Sequence, residues 1–161
     1  MNKEKKISNY KSGHDFEPII RKIAEANGLL ASEIKVTQGD NGIDIIATYK
    51  KKLILIQCKN VETPLTVQIV RIFESAISRF PSDSLGLIVY NSEKLNERFA
   101  SHKASNWAST SKQNIKICNE KEFVGIIKEF FEYDNDDQID LIDINADTFN
   151  LSELIGKNVS I

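Results

Sequence analysis

The chain has 161 residues, 41% of them hydrophobic, and a formal net charge of -2, which suits one domain with a real apolar core. No apolar run approaches the ~18 residues of a membrane span, and the lysine-rich start has no apolar segment behind it, so neither a membrane span nor a secretory signal is indicated. The charge is uneven: residues 134–161 hold seven acids and one base, leaving 20 bases against 16 acids in residues 1–133. A mildly basic body with an acidic tail fits a phosphate-binding domain. Cys58 and Cys118 sit in apolar strand-like runs and read as core thiols, which places the protein inside the cell in a reducing compartment, cytoplasm or nucleus.

In chain order, residues 1–13 read as a polar, flexible lead-in. Asp15 is placed to cap a helix from Phe16 to about Asn27, stopped by Gly28, with Phe16, Ile19, Ile20, Ile23 and Ala24 on one face. Glu17 falls in its first turn, where an acid suits the positive helix end. A short strand is expected over Glu33–Gln38, then a turn-rich loop in which Asp40 is a turn residue and Gly42 lets the backbone pass close to another group. Ile43–Tyr49 and Leu53–Lys59 are nearly continuous apolar runs around the basic turn Lys50-Lys51-Lys52, and read as two paired strands covered on both faces. A helix is expected over about Leu65–Phe80, with Gln68 and Arg71 near its edge. After the break at Pro81–Ser84 come a buried strand, Leu85–Tyr90, and a helix over about Lys94–Ser109. A strand over Ile115–Cys118 and a helix beginning at Asn119 complete the pattern, and a short helix over 151–159 is expected within the acidic tail of 134–161. His14 and His102 read as ordinary residues rather than catalysts. The order of elements gives an α/β sandwich with a central sheet of mixed strand direction.

Alternation along the second strand of the pair puts Gln57 and Lys59 on one face, closing an otherwise apolar stripe. An unpaired buried ammonium is costly, so this pair needs a nearby carboxylate, and a tight turn brings Asp44 close. An acid, an amide oxygen and an ammonium at one end of a sheet suit metal-assisted attack on a phosphodiester.

The string Gly42-Ile43-Asp44 before the hairpin, Gln57-Cys58-Lys59 after it and Phe16-Glu17 upstream resembles the catalytic domain of Mrr-type restriction endonucleases, within the PD-(D/E)xK nuclease superfamily. That branch is known for Gln in place of the second acid. The resemblance covers about residues 14–130 and implies a restriction-endonuclease-like α/β/α fold over residues 14–133. It further implies a catalytic set of Asp44, Gln57, Lys59 and Glu17. The same resemblance puts Mg2+ (or Mn2+) on Asp44, Gln57, Glu17 and the Cys58 backbone carbonyl, with Gly42 and Gln68 beside the substrate. The implied reaction is hydrolysis of DNA to a 5′-phosphate and a 3′-hydroxyl. Separate DNA-reading domains are usual in the family and this chain has no room for one, so a homodimer or a separate recognition partner is expected. The competing reading is a catalytically inactive nuclease-fold module that binds nucleic acid or a protein, motivated by the neutral Gln57; a third treats Asp44 and Lys59 as a structural ion pair.

Overall fold

The computed structural model describes residues 15–34 and 42–132. The expectations for the lead-in, the strand beyond Ile34, Asp40 and the acidic tail with its helix lie outside these residues. The chain divides into two units, Met1–Ile127 and Lys128–Ile161. The first carries α1 (15–26), β1 Leu30–Glu33, β2 Ile45–Tyr49, β3 Lys52–Lys59, α2 Val67–Ile77, β4 Leu85–Tyr90, α3 His102–Thr110 and β5 Asn114–Asn119. A last helix, α4, covers 123–132, of which 123–127 belong to the first unit. In the second unit the described residues are 128–132, where the rings of Phe130 and Phe131 meet edge to face at 5.0 Å.

The five strands lie in the order β1-β2-β3-β4-β5. The pairs β1/β2 and β2/β3 are antiparallel, and β3/β4 and β4/β5 are parallel. The α/β architecture with a mixed sheet, expected from the element order, is thus what the chain forms. One sheet face places Leu55, Ile88 and Ile115 against Val70, Phe73, Ala76 and Ile77 of α2 and Ala104 and Ala108 of α3. Gly86 makes that contact possible: a Cβ there would lie 2.9 Å from Ile77 Cδ1 and 3.0 Å from Phe73 Cε1. Phe73 is fully buried, and truncating such a ring costs about 3–5 kcal/mol. The other face is equally sealed, with Ile45, Ala47, Ile54, Ile56, Leu85, Leu87, Val89 and Cys118 all buried. Burial on both faces is why these strands read as continuous apolar runs.

The helix ends follow local rules. Gly28 has φ +88°, and the Gly28 and Leu29 amides donate to the carbonyls of Glu25 and Ala24, the paired bonds of a glycine-terminated helix. Asp15 is helical and is the first described residue of α1, so the expectation that it caps the helix turns on residues outside the described ones. A strand not expected from the sequence, Leu30–Glu33, pairs with Ile45–Thr48 directly after the helix stop, and Leu-Ala-Ser-Glu carries little strand propensity to reveal it.

The third helix is shorter than expected. It begins at His102 behind Ser101, whose side chain accepts the Ala104 amide. The preceding residues turn instead, because Asn91 and Asn96 accept the amides of Glu93 and Arg98 and so compete with a helical backbone. Likewise α2 starts at Val67 rather than Leu65, since Leu65 is held in a bridge to Ala100.

Candidate active site

The hairpin β2–β3 turns on two residues, Lys50 and Lys51, both with positive φ (49° and 66°), the geometry of a type I′ turn. Its register ends at the pair Ile45–Ile56, and Asp44, the next residue, bonds to the backbone of Ile56 and Cys58 on either side of Gln57. Asp44 is gripped on three sides. Its N–H donates to the Ile56 carbonyl and its C=O accepts the Ile34 amide, each at 2.8 Å. Its Oδ2 accepts the Cys58 N–H, also at 2.8 Å. A regular strand residue directs N–H and C=O to the same neighbour; Asp44 directs them to opposite ones. The carboxylate then takes the amide that a ladder carbonyl would otherwise receive. Backbone alternation along β3 also turns the Cys58 carbonyl to the β2 side, where Asp44 lies.

Gln57 is only 6% exposed. Its Oε1 is buried without a hydrogen-bond partner among the described residues, a condition that costs about 1–3 kcal/mol when nothing compensates it. Gly42, at φ +88°, closes over this amide: a Cβ on Gly42 would fall 2.3 Å from Gln57 Nε2. The close approach anticipated for Gly42 is therefore one to its own chain.

Lys59 ends β3, partly buried. Its carbonyl accepts the Asn91 amide at 3.2 Å, and Asn91 Nδ2 donates to Asn60 Oδ1 at 3.0 Å. Asn91 thus holds both Lys59 and the residue after it. The ammonium is in no ion pair among the described residues, so a structural Asp44–Lys59 pair is not what holds this strand end.

Glu17 lies on α1, half buried. Burial pushes the Cys58 thiol well above its ordinary value, and the charges of Asp44, Glu17 and Glu33 push it the same way. Glu17, Glu33 and Asp44 thus each lie within electrostatic reach of Cys58. Glu33 was not foreseen as part of it; it sits on the strand whose position the sequence hid, and pairs with Arg21 at 2.8 Å. Gln68 is exposed in the first turn of α2, and His102 is exposed at the start of α3.

Among the described residues no three His, Cys, Asp or Glu side chains gather to hold a metal ion. A cation here would draw on amide and carbonyl oxygens as well as carboxylates, and a buried amide oxygen lacking a donor among the described residues fits that role.

No helix among the described residues is long and apolar enough to cross a membrane. No curated protein matches the chain. Among solved structures it is similar to one titled "Crystal Structure of Protein of Unknown Function AF1548", at 17% identity and a TM-score of 0.49 over 64% of this chain. The match spans about half of that protein, 55% of its length. Residues 9–127 match the restriction endonuclease family defined by the Mrr catalytic domain. With most of its length matched and an acid, a buried Gln and a Lys at the ends of one hairpin, this chain belongs to the Mrr-type restriction endonuclease family.

Proposed function

We propose that this domain is an endonuclease that hydrolyses phosphodiester bonds in DNA with the help of Mg2+ or Mn2+. The observation that carries the reading is the buried Gln57 Oε1, without a donor among the described residues, next to Cys58, whose amide fixes the Asp44 carboxylate. Asp44, Gln57, the Cys58 carbonyl and Glu17 would hold the cation. When bound, it supplies Lewis acidity and a lowered pKa for the attacking water.

The chain's own residues do the rest. The Cys58 amide and the two backbone bonds fix Asp44. Gly42 and the sheet hold Gln57 in one orientation. Lys59 orients the water or neutralises charge growing on the phosphate, and Asn91 fixes the backbone from which it projects. Gly42 and Gln68 would flank the substrate. The nuclease domain spans 14–133, between a lead-in and an acidic tail, and works in a reducing compartment that keeps its two thiols free.

A second reading, an inactive module that binds nucleic acid or protein, is favoured by Gln57 standing where a second charge would hold a dication more tightly. A nuclease panel separates the two. Plasmid, branched and methylated DNA and RNA are incubated with and without divalent ions, using wild type, Asp44→Ala and Lys59→Ala. Metal-dependent cleavage of DNA that both substitutions abolish is expected. Cleavage with neither metal, or by the variants as well as by wild type, would overturn the assignment; binding that ignores a chelator, without cleavage, would install the second reading.

A further inference from the structure

We propose that the outer surface of α2 and α3 is a docking face for the phosphate backbone of duplex DNA. The inference rests on the reading of DNA as substrate and says where the duplex is held.

Charge is the first argument. From Arg98 to Asn119 there is no Asp or Glu, although the whole chain is net negative. Arg71, Arg79, Lys103 and Lys112 are all at the surface on or at the ends of these two helices. The described ion pairs lie elsewhere, on α1, β1 and beside the hairpin, where Arg21 meets Glu25 and Glu33 and Lys52 meets Asp83. The single acid of α2, Glu74, is already engaged: it accepts from Trp107 Nε1 at 3.1 Å and from Ser111 Oγ at 2.5 Å. Four cations therefore face solvent outside any described ion pair, against the one carboxylate of Glu74, whose partners are neutral; the net positive surface is matched to a polymer carrying one charge per ~1.7 Å of axis.

Side-chain chemistry is the second. Arg71 lies over the Trp107 ring at 5.0 Å, and Trp107 is 38% exposed. The ring contact holds the guanidinium in place while Arg71 stays exposed, and a guanidinium so placed suits an oxyanion. Lys103 is one helical turn from Trp107 on the same edge. The rest of the exposed surface of α3 is uncharged or weakly basic polar groups such as His102, Ser105 and Asn106, which can donate to phosphate oxygens.

Position is the third. The bridge between Leu65 and Ala100 ties together the residues just before α2 and α3. Both helices thus begin at the sheet end where Lys59 emerges and run back from it. A duplex seated there leads away from the cleavage site along the basic face, and its contacts are to backbone, with no reading of sequence.

The test measures binding of a short labelled duplex in chelator across a salt series. Wild type is compared with Arg71→Ala/Lys103→Ala/Lys112→Ala. A control, Lys22→Ala/Lys121→Ala, alters exposed cations on other elements. Each phosphate contact contributes a slope of about -0.9 in log K against log salt, so the triple variant should lose roughly 2–3 units of slope and at least ~10-fold in affinity near 0.1 M salt, with the control unchanged. Lys103→Ala/Lys112→Ala leaves the Arg71–Trp107 stack intact and should lose about 2 units. An unaltered slope in both variants overturns the proposal, as does a change only in self-association by sedimentation, which would make the face a dimer contact. If the slope falls but wild type cleaves nothing, the docking face stands and the nuclease reading fails. If wild type cleaves and the variants bind as it does, the nuclease reading stands and the docking face fails.

Discussion

The Asp44 carboxylate accepts the Cys58 amide at 2.8 Å across the hairpin, so the same oxygen-bearing group serves backbone structure and candidate chemistry. The two duties separate on substitution. Asp44→Asn keeps an acceptor for Cys58 and should leave stability within about 1 kcal/mol, whereas Asp44→Ala strands that amide and should cost about 1–3 kcal/mol. Both should lower DNA cleavage by ~10²-fold or more. Urea unfolding read beside a cleavage assay makes the comparison; an Asn variant that cleaves like wild type would remove Asp44 from the chemistry.

Gly42 and Gln57 form a second coupled pair. Gly42→Ala adds a methyl 2.3 Å from Gln57 Nε2 at a φ of +88°. It should destabilise by about 1–3 kcal/mol, and shift the amide of Gln57. Combining it with Gln57→Ala removes the clash but not the backbone strain. A double-mutant cycle should therefore show a coupling of about 0.5–3 kcal/mol; strict additivity would show that the two do not press on each other.

Asn91 acts on Lys59 through the backbone. Asn91→Ala removes the Nδ2 bond to Asn60 and should loosen the end of β3. The expected effect is a fall in kcat of ~10-fold with KM little changed, because the misplaced group acts in the transition state. Asn91→Asp, which cannot donate to Asn60 but still accepts the Glu93 amide, isolates the loss of that one bond and should lower kcat in the same direction. A change confined to KM, or loss of stability without loss of kcat, would leave Asn91 a purely structural residue.

The thiols report on burial. Cys118 is pushed by burial from 9.0 to about 12, and the folded chain therefore keeps a proton that the unfolded chain loses above its ordinary value. That contribution to stability is complete below about pH 9 and declines as pH rises toward about 12. Unfolding free energy measured over this range should fall for wild type more steeply than for Cys118→Ala. Identical pH dependence in the two would contradict the buried, protonated thiol.

Much of this was legible in the chain itself, where burial on both faces leaves a continuous apolar record. Leu85–Tyr90 and the hairpin strands needed only length and composition to be placed. The segment before His102 misled because its apolar spacing suits a helix while Asn91 and Asn96 bind neighbouring amides instead. Leu30–Glu33 was hidden by weak propensity and is a strand because β2 lies beside it. The unpartnered Gln57 oxygen, the Gly42 contact and the Asn91 clamp arise from register across strands, which no local pattern encodes.

The turn at Lys50 and Lys51 has a consequence for alignment. Both lysines adopt a backbone region that side-chain-bearing residues avoid, so the loop does not select its own partnering of β2 with β3. What prevents slippage is the sealed pattern of Ile45, Ala47, Ile54 and Ile56. A shift by one residue would carry Gln57 and Lys59 to the opposite face of the sheet. The geometry of the catalytic end is therefore held in trust by aliphatic side chains that never meet a substrate.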